Sequence, residues 1–449
     1  MLRNSGFYNN LFLYLTNINN FHIMIVEKYM SPAYYVNMQG IFKCNTILIL
    51  WSILLEVIIL LIVQKYGGSS VATTELILNV AKRVKKSVEL GNKLVVVVSA
   101  QGKTTDNLLT MAKGINIHSP KREIDMLIST GEQQSSALLA MTLEKIGIAT
   151  VSLMGAQAGI ITSSNHGNAK ILSIDTRRIN RELADNKVLV IAGFQGINEN
   201  GDITTLGRGG SDTTAVSIAA AIGADLCEIY SDVDGIYTAD PRVVEKAIKL
   251  EEISFDEMLE LSSMGAKVLH NRAVEVAKNN NVLLVSKNSF NDTSGTYIKN
   301  IETEEADNIK GITGYRNIDV VTLENFEENV SELYDILGKN NITTDMIHFI
   351  NKSVIFSIKK NDRNDVEKLI NINFKNPKMK IFEDYAKLSI VGLGLMSNPK
   401  VISEIFRVLE ENKIKIYFLN TSELKMSLIV DKACLDRVTN LLHERLIER

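Results

Sequence analysis

Between residues 60 and 300, short apolar runs alternate with longer amphipathic stretches. Leu60–Gln64, Leu94–Val98, Val188–Ala192, Leu226–Tyr230 and Val282–Val285 are nearly unbroken apolar segments. That pattern predicts strands covered on both faces of a parallel sheet. Between them, Leu76, Ile77, Val80, Val84 and Val88 recur at helical spacing behind Thr73 or Thr74 as cap. Ile124–Gly147 and Thr213–Ile222 read as further helices, the second closed by Gly223 and preceded by Ser211 and Asp212 as cap candidates. Strands alternating with helices predict a doubly wound α/β domain. After residue 300 the pattern changes. Strand Ile318–Leu323, helix Glu328–Lys339 and strands Ile342–Phe349 and Ser353–Ile358 form a βαββ unit. Ala386–Val391, Val401–Asn412, Ile414–Leu419 and Leu424–Val430 repeat it, with a last helix after Asp431. An internal repeat of two ferredoxin-like units is expected, preceded by the charged linker candidate Thr303–Asn308.

Polar residues gather just past the predicted strand ends, where open α/β sheets bind ligands. Lys65-Tyr66-Gly67-Gly68-Ser69 follows the first strand, and strand, glycine turn and helix together suit a phosphate. Taken alone, such a stretch is a structural βα turn. The lysine precedes the glycines, so this is not the GxxxxGK[ST] loop, and no HRD or DFG set accompanies it. Ser99 to Asp106 follows the second strand, and Glu132 stands near the start of a helix. Leu206-Gly207-Arg208-Gly209-Gly210 places a cation on a glycine turn directly before a helix start, and Ser231 to Gly235 forms an acidic loop after a strand. Lys267 opens another helix, and His270 reads as structural or surface.

Composition narrows the choices. A chain of 449 residues with 45% apolar and 22% charged residues supports two or three domains with large cores. A net charge of −3 argues against nucleic acid as a partner. Cys44, Cys227 and Cys434 are far apart, and the six histidines lack ligand spacing, so neither a disulfide framework nor a protein-held metal is expected. A reducing cytoplasmic setting fits. The opening stretch differs: Thr46–Val63 is nearly continuous apolar sequence, long enough to raise a membrane helix. Glu56 interrupts it at a cost of about 2.5 kcal/mol or more. Its end is also the first strand of the following domain, and no small-residue cleavage site follows. Residues 1–59 are therefore expected to lie outside the functional fold, as after an upstream start assignment, with a membrane anchor as the alternative.

Seven stretches in one order carry a family resemblance: 63–72 (VQKYGGSSVA), 95–108 (VVVVSAQGKTTDNL), 128–141 (ISTGEQQSSALLAM), 192–198 (AGFQGIN), 204–216 (TTLGRGGSDTTAV), 228–242 (EIYSDVDGIYTADPR) and 257–278 (EMLELSSMGAKVLHNRAVEVAK). Together they resemble the aspartokinases of the amino-acid kinase family, with Ser69 replacing a usual threonine and Asn271 a frequent proline. The C-terminal repeat, with Asn420 to Lys425, is similar to that family's paired ACT domains. Its first unit has Asn325-Phe326-Glu327-Glu328 where relatives carry Pro-Gly.

The resemblance implies a catalytic domain over 60–300 and ACT-like units over 305–375 and 380–449. It implies transfer of the ATP γ-phosphoryl group to the β-carboxylate of L-aspartate, the first step towards lysine, threonine, methionine and diaminopimelate. By it, Lys65 and Asp212 are catalytic. Lys65, Tyr66, Gly67, Gly68, Ser69, Ser231, Asp232, Tyr237, Arg242 and Lys267 meet ATP, and Ser99, Thr105, Glu132 and Arg208 meet aspartate. Mg²⁺ is expected through phosphate oxygens and water. Lysine, threonine or both are the implied effectors, and a dimer or larger homo-oligomer the implied assembly. Another carboxylate substrate, or a non-catalytic amino-acid sensor, is the alternative reading.

Overall fold

The computed structural model describes residues 13–18, 21–26, 59–263, 269–301, 309–327, 329–340, 342–375, 378–395 and 398–448. The chain divides into two units, residues 1–58 and 59–449. In the first, strands Leu13–Ile18 and Phe21–Val26 pair antiparallel, Leu13 opposite Val26. Thr46 to Ile58 of the apolar run lies outside the described residues. Among the described residues, no helix is long and apolar enough to cross a membrane.

In the second unit the elements run β1 (Leu61–Tyr66), α1 (Thr74–Glu89), β2 (Lys93–Val98), α2 (Thr104–Ile115), α3 (Lys121–Ile128), α4 (Thr130–Lys145), β3 (Thr150–Leu153), β4 (Ile160–Thr162), β5 (Ile171–Ile174), α5 (Arg177–Ala184) and β6 (Val188–Ala192). There follow β7 (Gln195–Ile197), β8 (Ile203–Thr205), α6 (Gly210–Ile222), β9 (Leu226–Ser231), β10 (Glu252–Ser254), α7 (Phe255–Ser263), α8 (Asn271–Asn280), β11 (Leu284–Asn288) and β12 (Thr296–Lys299). An eight-stranded sheet has the order β10-β12-β11-β9-β1-β2-β6-β3, parallel except where β11 meets β12. A small sheet, β8-β7-β4-β5, lies beside it in the chain path.

The unbroken apolar runs are explained by burial on both faces. Val63, Val95, Val97, Leu189 and Ile191 pack into one core with α5, α6, α7 and α8. Their neighbours Ile62, Leu94, Val96, Val98, Val188 and Val190 pack into a second core with α1 and α4. Each fully buried aliphatic side chain contributes on the order of 1.5–3 kcal/mol, so register is strongly specified. Thr73 caps α1 by accepting from Leu76 N, and Gly223 closes α6 at φ 63°.

Two local expectations change. The predicted helix 124–147 is two helices broken at Ser129, whose carbonyl accepts from Gln195 Nε2 at 2.8 Å. Just past the break Gly131 approaches Ala100 so closely that a Cβ there would lie 2.8 Å from Ala100 Cβ. Neither Ser211 nor Asp212 caps α6. The helix starts at Gly210, with left-handed Gly209 (φ 67°) as its cap residue, so Asp212 sits inside the first turn.

The remaining elements are β13 (Ile309–Glu324), α9 (Val330–Lys339), β14 (Asp345–Ile350), β15 (Ser353–Lys359), α10 (Arg363–Asn373), β16 (Lys378–Gly392), α11 (Pro399–Glu411), β17 (Phe418–Thr421), β18 (Lys425–Asp431) and α12 (Leu435–Leu446). They build one antiparallel sheet, β14-β15-β13-β16-β18-β17. The predicted strands Ile318–Leu323 and Ala386–Val391 are halves of longer ones. Ile312 packs with α11 and α12, whereas Val321 and Leu323 on the same strand pack with α9 and α10. β16 crosses the same way: Met379 and Ile381 join one core, Leu388 and Ile390 the other. Each βαββ unit is therefore completed by a strand segment from outside its own repeat.

Candidate functional site

The carboxyl ends of β1, β2 and β6, the start of α4 and the turn before α6 surround a cavity of about 690 Å³. Lys65 is brought there as the penultimate residue of β1, its alternation placing it opposite the Tyr66 side. Its Nζ lies 2.6 Å from Asp212 Oδ1, with both side chains nearly buried. Asp212 Oδ1 has no hydrogen-bond partner of good geometry, so this contact is a close charge pair rather than an aligned hydrogen bond. The turn after Lys65 is interlocked with its neighbours. Gly67 N donates to Tyr230 O, Gly102 N donates to Gly68 O, and a Cβ on Gly68 would meet Ala100 O at 2.7 Å.

Opposite Lys65, Glu132 is brought in by the approach of Gly131 to Ala100. Its Oε1 accepts from Ala100 N at 3.0 Å, and its buried Oε2 has no partner. Burial pushes its carboxyl up to about 7, with the Ala100 amide and the Lys65 charge opposing. A buried carboxylate with an open oxygen is suited to a ligand ammonium. Arg208 stands on the turn between left-handed Gly207 (φ 77°) and Gly209 (φ 67°), and lines the same cavity. Its side chain is exposed, and among the described residues no partner faces its guanidinium. Ser99 and Thr105 complete the rim. Lys65, Asp212, Ser99, Thr105, Glu132 and Arg208 therefore share one cavity.

The other candidate residues lie elsewhere. Tyr66 is fully buried and stacks on Tyr230, with ring centroids 4.7 Å apart, so only its backbone can meet a nucleotide. Ser69 is exposed beside the glycine turn. Ser231 ends β9, next to the Gly67 turn through the Gly67–Tyr230 bond, and Asp232 follows it, exposed. Tyr237 pairs by its backbone with Lys249. Arg242 is exposed and forks onto Asp240 at 2.7–3.2 Å, away from the cavity. Lys267 lies outside the described residues.

The structure adds residues that local reading missed. His270 packs against Gly209, where a Cβ would lie 2.2 Å from its ring, and burial lowers its basicity while Asp212 raises it. Asp125, His166 and Phe194 also line the cavity. The one visible signal for His166 was its place in Ser163-Ser164-Asn165-His166-Gly167-Asn168, a polar turn between short strands. Among the described residues, no three His, Cys, Asp or Glu side chains gather into a metal cage. The Lys65–Asp212 end suits a metal carried by phosphate oxygens and water.

A cation at a central strand end paired with a carboxylate in the first turn of a helix, with a second cation on a glycine turn, defines a site for joining two anions. The chain matches the amino acid kinase family over residues 61–288 and an ACT domain over 380–444. It is 46% identical to the aspartokinase of Geobacillus stearothermophilus over 393 residues, covering 86% of this chain and 96% of that one. Its fold is shared with E. coli aspartokinase III, solved with aspartate and ADP, at TM-score 0.75 and 24% identity, covering 86% and 99% of the two chains. The same relative solved with lysine and aspartate gives TM-score 0.70, again at 24% identity over 86% of this chain and 99% of that one. The chain belongs to the aspartokinases, a branch of the amino acid kinase family.

Proposed function

We propose that the chain transfers the γ-phosphoryl group of ATP to the β-carboxylate of L-aspartate, giving 4-phospho-L-aspartate and ADP. The observation that carries this reading is the single cavity in which Lys65, Asp212, Glu132 and Arg208 meet. An aspartate side chain, with pKa about 3.9, is already ionised at neutral pH, so no general base is needed. What the protein must supply is positioning and charge stabilisation.

In this reading Arg208 takes the substrate's α-carboxylate with its planar fork, and Glu132 takes the ammonium. Ser99 and Thr105 offer hydroxyls to the acid. Lys65 neutralises charge on the transferring phosphoryl group, and Asp212 holds Lys65 or a water on the metal. The amides of Gly68 and Ser69 face the phosphates, that of Gly67 being taken by Tyr230 O, and Ser231 and Asp232 adjoin them through β9. Magnesium bound to the nucleotide would offset phosphate charge beside Lys65 and Asp212. The paired βαββ units bind lysine, threonine or both as inhibitors and mediate a homo-oligomer, in the cytoplasm.

The test is hydroxylamine trapping of the acyl phosphate with ATP and either aspartate or glutamate, with lysine and threonine added singly and together. Aspartate-dependent hydroxamate is expected. Equal hydroxamate from glutamate, or none from aspartate, defeats the reading.

A further inference from the structure

Asp125 is fully buried, yet four polar groups from two distant segments converge on its carboxylate. Its Oδ1 accepts from Thr205 Oγ1 at 2.6 Å, and its Oδ2 from Thr205 N at 3.0 Å and Gly167 N at 2.9 Å. His166 Nδ1 lies 3.0 Å from the same Oδ2. A carboxylate only accepts, so the ring proton sits on Nδ1 and Nε2 is left for the cavity that His166 lines. Thr205 ends β8, three residues before Arg208. His166 and Gly167 form the tip of the hairpin between β4 and β5.

That tip presses on the Arg208 turn: a Cβ on Gly207 would lie 3.1 Å from Gly167 O. From the far side, Arg272 donates to Leu206 O at 2.6 Å and to Ala169 O at 2.8 Å, and Ala169 N donates to Thr205 O at 2.9 Å. The Arg208 turn is thus held between two charged side chains, one of which, Asp125, also orients the imidazole.

We infer that Asp125 is the positioning residue for the amino-acid end of the cavity: it fixes the Arg208 turn and holds the His166 imidazole in place on the cavity wall. It acts through Thr205, Gly167 and His166 and takes no part in phosphoryl transfer. At the phosphate end Lys65 is anchored separately, on β1, and Asp212 is held by the body of α6. Losing Asp125 therefore weakens aspartate binding and spares the nucleotide. Buried hydrogen bonds to a carboxylate, and small displacements of a recognition group, carry effects of about tenfold or more.

The inference rests on Arg208 as receptor of the substrate carboxylate, and the experiment separates the two. Steady-state kinetics are measured for the full chain and for Asp125→Asn, Thr205→Val and Arg208→Lys, with ADP affinity by calorimetry as the fold-sensitive readout. Asp125→Asn is expected to raise KM for L-aspartate about tenfold or more. KM for ATP, kcat and ADP affinity should stay within about threefold of native. Thr205→Val, which removes one donor to Asp125, should move aspartate KM about threefold in the same direction. An aspartate KM unchanged in folded Asp125→Asn overturns the inference. So does a parallel loss of ADP affinity, which marks a general structural role. Should Asp125→Asn not fold, an unchanged aspartate KM in Thr205→Val overturns it instead. If Arg208→Lys alone leaves aspartate KM unchanged, the site reading fails first; if Arg208→Lys raises it and Asp125→Asn does not, only this inference fails.

Discussion

The two ends of the cavity are built in opposite ways. At the phosphate end, Lys65 projects from the central strand of the parallel sheet, nearly buried and paired with Asp212 at 2.6 Å. Its glycine turn is tied to β9 and to the loop after β2. At the amino-acid end, Arg208 is exposed without a partner among the described residues, and Glu132 keeps one buried oxygen unpaired. The first arrangement is complete before any ligand arrives, which is what charge stabilisation in a transition state requires. The second leaves opposite charges open until a ligand carrying both an ammonium and a carboxylate satisfies them. Rigid charge serves turnover, and open charge serves recognition.

Removing the prearranged cation should have the largest effect. Lys65→Ala is expected to lower kcat by about 10²- to 10³-fold, with an unchanged circular dichroism spectrum. A kcat within tenfold of native would make the phosphate end a merely structural ion pair. Next comes the open cation. Arg208→Lys keeps the charge but loses the fork, and should raise KM for aspartate about tenfold while moving KM for ATP less than twofold. Equal movement of both constants would erase the difference between the two ends.

The buried acid gives a pH signature. Glu132, raised to about 7, carries its charge above that pH and is protonated below it. KM for aspartate should therefore fall about tenfold per unit as pH rises towards 7, then level off, since only the ionised carboxylate pairs with the ammonium. Glu132→Gln should raise KM and remove this dependence; a profile identical to native would assign the titration to another group.

The smallest effect is expected away from both ends. His443 on α12 is fully buried and its Nε2 shares a 2.8 Å hydrogen bond with Thr238 Oγ1 in the loop after β9. Thr238 O also accepts from Ile312 N at 2.7 Å. Replacing His443 with Leu should lower stability by about 1 kcal/mol in urea unfolding and leave aspartate KM within twofold. A shift in aspartate KM beyond that would tie the C-terminal helix to the amino-acid end.

Much of this was determined by the sequence alone. The valine run of β2, short and β-branched, points to a strand covered on both faces, because it offers no polar face to solvent. Thr73 and Gly223 mark helix ends through chemistry that acts within four residues. Lys65, Arg208 and Glu132 stand out as charges beside glycine at element ends. Only the tertiary structure decided which charges meet. Asp212 looks like a helix cap until β1 is laid beside α6 and presents Lys65 to it. Asp125 looks like an ordinary helix residue until Thr205 and Gly167, some 80 and 42 positions later, close on its carboxylate. Tyr66 belongs to a ligand motif by position, yet its alternation on β1 sends the ring into the core. The exchange of strand halves between the two βαββ units is likewise invisible locally, since each half has the pattern of a complete strand. Local propensity and periodicity act over a few residues, whereas pairing across the chain depends on which surfaces packing brings together.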